Sequence, residues 1–141
     1  MPQPDIESTF TYFTRQLAAR HPSLAYLHLV ESRASGPDDT PDSPAESLDF
    51  LARAWAPRPL LVAGGHPPTL EGAERTLARY EGSAAVFGRY FVSNPDLVAR
   101  IRWGVEARKY DRSTFYVPGP DGAEGYTTYP VEYGVEGRLE G

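Results

Sequence analysis

The sequence predicts an α/β fold built around a small parallel sheet. Three short apolar segments alternate with longer segments in which apolar residues recur at helical spacing. This alternation is typical of parallel strands joined by right-handed helical crossovers. With 141 residues and 40% hydrophobic content, the chain is long enough to bury one core. Three strands are nevertheless too few to close a barrel.

The first half of the chain predicts two helices and one strand. Residues 9–20 carry Phe10, Phe13, Leu17 and Ala18 at helical spacing, which predicts a helix with these residues on its apolar side. Residues 24–30 form a nearly continuous apolar run, as expected for a strand covered on both faces. A polar loop is predicted over residues 33–46, and a capping-box pattern at 43–46 predicts a helix that continues to Trp55.

The second half predicts two further strands, each followed by a helix. The strand at residues 59–63 ends in a glycine pair, and Thr69 is expected to cap a helix that ends at Gly82. The strand at residues 84–87 leads to Asn94 and Pro95, which predict a helix start, with Gly104 as the stop. The chain is thus predicted to be a single incomplete domain: βα units over 5–104, then an aromatic tail rich in glycine and proline over 105–141.

Composition excludes several classes of protein. The formal net charge is -5 and no basic face is evident, so we expect no nucleic-acid partner. There is no cysteine, which excludes a disulfide framework and a thiolate metal site. No apolar run approaches the ~18 residues of a membrane span, and no signal pattern is seen. We therefore expect a cytoplasmic protein without membrane contact.

Two glycine turns are the candidate ligand site. Gly64 and Gly65 follow one predicted strand, and Gly88 and Arg89 follow the next. Ligands of parallel α/β proteins bind at the carboxyl ends of strands, where backbone N–H groups and an arginine would neutralise a phosphate. From spacing alone, the favoured interpretation is that the glycines only terminate strands and that Arg89 is a surface residue. Neither turn matches a Walker loop or a dinucleotide fingerprint.

Four segments together resemble the C-terminal part of the Old Yellow Enzyme family of FMN-dependent ene reductases. The most specific is Gly88-Arg89-Tyr90-Phe91-Val92-Ser93-Asn94-Pro95-Asp96-Leu97, and the supporting segments are residues 24–31, 61–65 and 109–116. The resemblance extends over residues 8–133. It implies a partial (βα)8 TIM barrel, in which this chain supplies about three parallel strands, the sixth to the eighth, with their helices.

The resemblance also implies roles for individual residues. Gly64, Gly65 and Gly88 would offer backbone N–H groups to the FMN phosphate, and the Arg89 side chain would be its counter-ion. Phe115 matches an aromatic position beside the flavin, and Tyr116 one beside the substrate pocket. Many members of the family carry asparagine in place of Gly65, so here only the backbone contact is expected. NAD(P)H is the implied reductant, and an activated alkene such as an enone is the implied substrate.

The catalytic groups of the family belong to its N-terminal part and cannot be placed on this chain. We therefore assign no catalytic residue and no metal ligand. His28 and Glu31 lie on and just after the first strand, but no motif makes them catalytic, and His21 and His66 are interpreted as loop residues. The tyrosines of the tail, Tyr126, Tyr129 and Tyr133, could form a recognition segment, although a tail that wraps the base of the barrel is the favoured interpretation.

Three hypotheses follow for the function. The chain could be a reductase fragment that retains part of the FMN phosphate site and is inactive alone. It could instead share an activity with a complementing chain that completes the barrel; self-association is a poorer version, because two copies give six strands rather than eight. Finally, it could be a non-catalytic module or a truncated gene product that acts, if at all, through a partner.

Overall fold

The computed structural model describes residues 5–31, 48–134 and 136–139. The polar loop predicted over residues 33–46, including the capping box at 43–46, lies outside the described residues. The chain divides into two compact units, and each is described by itself. The first comprises Met1–Gly65 and Thr76–Val86, and the second His66–Arg75 and Phe87–Gly141.

The first unit contains the predicted parallel sheet. Its strands β1, β2 and β3 lie in chain order and pair in parallel, with Leu29 opposite Val62 and Val62 opposite Ala85. Helices α1 and α2 precede β1 and β2, and α3 leads from the second unit into β3. The bounds are α1 Ile6–Arg20, β1 Leu27–Val30, α2 Asp49–Trp55, β2 Leu60–Ala63, α3 Leu70–Arg79 and β3 Ser83–Val86. The α/β prediction is confirmed.

The core of this unit lies between the helices and one face of the sheet. Trp55 is 1% exposed, and its indole N–H donates to the Pro59 carbonyl oxygen at 2.9 Å. The guanidinium of Arg58 stacks over the Trp55 ring and donates to the Ala18 carbonyl near the end of α1 at 2.9 Å. An arginine therefore satisfies an orphan carbonyl at this helix end. The buried apolar residues of the cluster are Leu29, Leu51, Trp55, Leu60, Val62 and Tyr80.

Among the described residues, the opposite face of the sheet is left partly open. Side chains alternate across a strand, so His28 and Val30 point away from buried Leu29. Both are exposed, and Val30 retains 55% of its accessible surface. The prediction that this strand is covered on both faces is wrong, because the described residues cover only one.

Helix α1 also exposes part of its predicted apolar side. Phe10 and Phe13 are 50% and 55% exposed, whereas Thr14 is buried. Leu17 and Ala18, near the C-terminal end of the helix, do pack against the core. The helical spacing was correct, but only this end of the apolar stripe finds a partner among the described residues.

The second unit begins with the first part of α3. The Thr69 hydroxyl oxygen accepts a hydrogen bond from the Gly72 N–H at 3.1 Å, which confirms the predicted cap. The remaining helices and strands are α4 Arg89–Ser93, α5 Leu97–Trp103, β4 Tyr133–Gly134 and β5 Gly137–Arg138, with 3₁₀ turns at Arg112–Thr114 and Pro120–Ala123. Gly104 ends α5 with φ 66°, a left-handed conformation that favours glycine, as predicted.

An ion-pair network attaches the tail to α5. Arg100 is 4% exposed; its Nε lies 2.9 Å from Asp96 Oδ1, and its Nη2 lies 2.5 Å from Glu132 Oε2. The other oxygen of Asp96 accepts the backbone N–H groups of Glu132 and Tyr133 at 2.8 and 3.0 Å. This part of the tail is therefore packed structure. Among the described residues, no helix has the length and apolar character needed to cross a membrane.

Candidate functional site

The first candidate turn leaves the sheet at the end of β2. Ala63 and Val86 are register partners and the last residues of their strands, so β2 and β3 end at the same level. Gly64 and Gly65 follow Ala63 with φ of 76° and 69°, both in the left-handed region that side chains disfavour. A Cβ at Gly65 would collide with the Glu31 carboxylate. The positive φ favours glycine at position 65, and a side chain there would also have to displace the Glu31 carboxylate.

The second candidate turn follows β3 and differs from the first. Gly88 has φ -83°, which any residue adopts, and a Cβ built there would meet nothing within 4 Å among the described residues. Neither backbone strain nor crowding by the described residues explains this glycine. The space beside it is open to a ligand that approaches the backbone closely.

Arg89 follows this glycine and is positioned by Tyr110. The side chain of Arg89 is neither fully buried nor fully exposed. Its Nη1 donates to the Tyr110 hydroxyl at 3.3 Å, and its guanidinium carbon lies 5.9 Å from the centre of the Tyr110 ring. Tyr110 itself is 8% exposed. A partly exposed cation is therefore attached to a buried aromatic ring.

Aromatic contacts extend from Tyr110 to the two predicted aromatic site residues. The ring of Tyr110 lies 5.6 Å from that of Phe115, and Phe115 lies 6.2 Å from Tyr116. Tyr116 has φ 62° and is 85% exposed, a strained backbone conformation for a side chain that has almost no cover. Arg89, Phe115 and Tyr116 are thus brought together through Tyr110, within the second unit.

Asn94 and Ser93, in the most specific segment, form hydrogen bonds to the backbone of Arg108, two residues before Tyr110. The Asn94 side chain is fully buried; its Nδ2 donates to the Arg108 carbonyl and its Oδ1 accepts the Arg108 N–H, both at 2.8 Å. The Ser93 hydroxyl donates to the same carbonyl at 2.7 Å. The segment that carries Tyr110 is therefore fixed to the end of α4. The prediction that Asn94 caps the next helix is wrong, because its side chain makes these contacts and α5 begins after Asp96.

Comparisons with known proteins identify relatives of this chain. No protein-family model matches it. A Schizosaccharomyces pombe protein that bears the name of an NADPH dehydrogenase is 39% identical over 84% of this chain and 30% of its own length. An Epichloe festucae var. lolii protein named as an inactive reductase is 37% identical over 96% of the chain and 37% of its own. The solved structure of a morphinone reductase mutant in complex with tetrahydroNAD superposes with a TM-score of 0.66 and 27% identity.

The chain belongs to the Old Yellow Enzyme family. It spans about a third of the length of the curated relatives it matches, and 34% of the morphinone reductase chain while that match covers 97% of this one. The resemblance read from residues 88–97 is therefore confirmed, as is the partial barrel fold, which this chain represents by its C-terminal part.

Membership in the Old Yellow Enzyme family does not test the roles of the individual site residues, which stay predictions. Gly64 and Gly65 lie in the first unit, and Gly88, Arg89, Phe115 and Tyr116 in the second. The contacts of Glu31, Tyr110 and Asn94 with the candidate turns and the segments that follow them are not predicted from the sequence. The sequence offered one signal of a structural role for Asn94: Asn94 and Asp96 flank Pro95 in the most specific segment of the chain. His28 is exposed on the open face of the sheet, where nothing described gives it a catalytic partner.

Proposed function

We propose that this chain is the phosphate-binding portion of an FMN-dependent oxidoreductase of the Old Yellow Enzyme family. Backbone N–H groups of Gly64, Gly65 and Gly88 would donate to the FMN phosphate, and the Arg89 guanidinium would pair with its charge. Phe115 would lie beside the flavin, and Tyr116 beside the substrate. When bound, the flavin supplies hydride transfer from NAD(P)H to an activated alkene such as an enone.

Arg89 is the observation that carries the proposal. A guanidinium presents N–H donors in the planar arrangement that matches phosphate oxygens, and it stays charged at any physiological pH. Its hydrogen bond and ring contact with buried Tyr110 reduce the side-chain freedom that would be lost on binding. The open space beside Gly88 supports close approach of a ligand to the backbone.

The residues present fit the phosphate end of FMN better than they fit the whole cofactor. Two turns rich in glycine and one partly exposed arginine are the donor set that a phosphate requires. Groups that would hold the flavin ring rigidly against a substrate are not assigned on this chain. Because hydride transfer requires that rigid placement, we expect no reduction of enones by the chain alone.

We further propose that activity requires a complementing barrel portion. In the described part of the chain, β1 and β3 each pair with β2 alone, so each presents an unpaired edge. The open face of the sheet carries Val30 and Ala84, both exposed, beside them. A chain that supplies the remaining strands would cover these edges and this face. The expected cytoplasmic location stays a prediction.

FMN titration of two matched variants tests the proposed phosphate contact. Arg89→Ala and Arg102→Ala remove the same charge, and exposed Arg102 lies on α5, outside the proposed site. Loss of a charge-assisted pair is worth roughly 1.5–3 kcal/mol, so Arg89→Ala should weaken FMN binding by about 10- to 100-fold. Arg102→Ala should leave the dissociation constant within about twofold. Equal effects of the two substitutions would contradict the proposed role of Arg89.

A non-catalytic role is the second candidate, and the name of one relative favours it. The Epichloe protein, which is similar over 96% of this chain, is named as an inactive reductase. Co-expression with a complementing barrel portion separates the two candidates. Flavin absorbance and NADPH-dependent reduction of cyclohexenone in the co-purified complex support the oxidoreductase, whereas a complex without flavin supports the non-catalytic role.

A further inference from the structure

Glu31 occupies an unusual place at the end of β1. Its backbone N–H donates to the Ala63 carbonyl oxygen at 2.8 Å, which extends the pairing of β1 with β2 by one residue. Its side chain, 14% exposed, reaches the glycine turn that follows Ala63. An acidic side chain therefore packs against the backbone of one of the two candidate turns.

The carboxylate of Glu31 fills the space where a side chain at position 65 would begin. A Cβ built on Gly65 would overlap Glu31 Oε2, and it would lie 3.0 Å from the carboxyl carbon and 3.4 Å from the Glu31 Cβ. Most of the Glu31 side chain thus lines this one position. The contact limits how far the backbone at Gly65 can rotate or move toward β1.

The carboxylate is itself held from the core side. The Tyr80 hydroxyl donates to Glu31 Oε1 at 2.9 Å, and Tyr80 is 4% exposed among the buried apolar residues. Arg79 Nη1 lies 3.7 Å from the same oxygen, and Arg79 Nε donates to Asp49 at 3.0 Å. Burial, together with the bond to Glu31, raises the pKa of Tyr80 above its ordinary value, so Tyr80 remains a neutral donor at physiological pH.

We propose that Glu31 is a positioning residue for the turn at Gly64 and Gly65. The core holds Tyr80, Tyr80 holds Glu31, and Glu31 packs against Gly65, so the left-handed turn keeps one conformation. The effect on phosphate binding rests on the proposed function, because it assumes that the N–H groups of this turn face the FMN phosphate. The shape of the side chain matters more here than its charge, since the ion pair with Arg79 is long and partly exposed.

A double-mutant cycle on unfolding tests the contact without any ligand. Gly65→Ala should raise the unfolding equilibrium constant by about 100-fold in the unmodified chain, because it adds both backbone strain and overlap with Glu31. In the Glu31→Ala background only the strain remains, and the same substitution should raise the constant by about tenfold. Equal effects in both backgrounds would overturn the proposal.

The cycle remains informative if Gly65→Ala does not fold. Recovery of a cooperative unfolding transition in the double variant then supports the contact, because removal of the carboxylate relieves the overlap. A double variant that stays unfolded, while Glu31→Ala alone folds, counts against it.

FMN binding tests the positioning role. Glu31→Ala should weaken FMN binding by about tenfold, and Glu31→Gln, which keeps the shape and can still accept from Tyr80, should restore it to within about threefold. Glu74→Ala is the matched control, because Glu74 is an exposed glutamate on α3, and binding should stay unchanged. If the glutamine variant binds as weakly as the alanine variant, packing by shape is wrong.

The two experiments fail in different ways. If the unmodified chain binds no FMN, the proposed phosphate site is wrong, and the unfolding cycle alone decides whether Glu31 holds the turn. If FMN binds and responds to Arg89→Ala but not to Glu31→Ala, the phosphate site stands and the positioning role of Glu31 is overturned.

Discussion

The two glycine turns follow neighbouring strands, yet their glycines are present for different physical reasons. Gly65 has φ 69°, and a Cβ there would overlap the Glu31 carboxylate, so contacts and backbone conformation within the fold account for glycine at this position. Gly88 has φ -83° and open space around it, so nothing described in the chain requires glycine. The fold accounts for the glycine at position 65, whereas the glycine at position 88 is the one for which a bound ligand is the proposed explanation.

The support of the two turns differs as well. Glu31, which accepts a hydrogen bond from Tyr80 of the core, packs against the Gly65 turn. Arg89, after Gly88, contacts Tyr110, and the segment around Tyr110 is fixed by Asn94 through Arg108. The second turn therefore depends on a network downstream of it, and that network is where the largest effects on stability are expected.

Substitution of Arg100 should have the largest effect on the free energy of unfolding. Arg100→Ala leaves the carboxylates of Asp96 and Glu132 without this partner in a largely buried network, and breaking such a network costs about 3–5 kcal/mol of unfolding free energy. Arg102→Ala, on the same helix but exposed, should change it by less than about 0.5 kcal/mol. Urea unfolding measures both. Similar values for the two variants would mean that the network does not stabilise this unit.

Substitution of Gly65 or Gly88 by alanine should give the next largest effect on the free energy of unfolding, and the effect should differ between the two turns. Gly65→Ala should cost about 2–4 kcal/mol, from left-handed strain and overlap with Glu31. Gly88→Ala should change the unfolding free energy by less than about 0.5 kcal/mol, because it meets neither strain nor crowding. Paired urea titrations compare them directly. A large cost at Gly88 would show that its backbone, too, is required by the fold.

Acid should weaken the second unit through Asp96. Burial opposes ionisation of Asp96, but hydrogen bonds from Arg100 and from the N–H groups of Glu132 and Tyr133 outweigh it and lower its pKa below 3.8. A lowered pKa stabilises the fold at pH values above 3.8, and that contribution is lost as the pH falls through the lower, folded-state value. Unfolding free energy measured from pH 6 down to pH 2.5 should fall less steeply in Asp96→Asn. Parallel profiles would contradict this origin of the acid sensitivity.

The element pattern of the fold could be predicted from local sequence. Apolar periodicity gave three strands with their helices, and Thr69 and Gly104 marked helix ends through side-chain and backbone chemistry that acts over a few residues. The exposure of β1 and of Phe10 could not be predicted in the same way. Burial depends on which other helices and strands pack against a residue, and local periodicity does not give that information.

The supports of the candidate site are contacts between residues distant in sequence. Glu31 and Tyr80 are 49 positions apart, and Asn94 bonds to Arg108 across 14 positions. Asn94 followed by proline is typical of a helix cap in the local sequence. In the structure, the Asn94 side chain instead bonds to the backbone N–H and carbonyl of Arg108, because buried backbone groups need hydrogen-bond partners. The roles of Gly64, Gly65, Gly88 and Arg89, and the division of the chain into one incomplete domain, stay predictions.

The phosphate dependence of flavin binding tests the central claim most directly. FMN and riboflavin share the flavin ring and differ in the phosphate that Arg89 is proposed to bind. Titration of the full chain with each should give FMN an advantage of at least about tenfold, and Arg89→Ala should remove most of that advantage. Equal affinity for FMN and riboflavin in the unmodified chain would contradict a phosphate site at these turns.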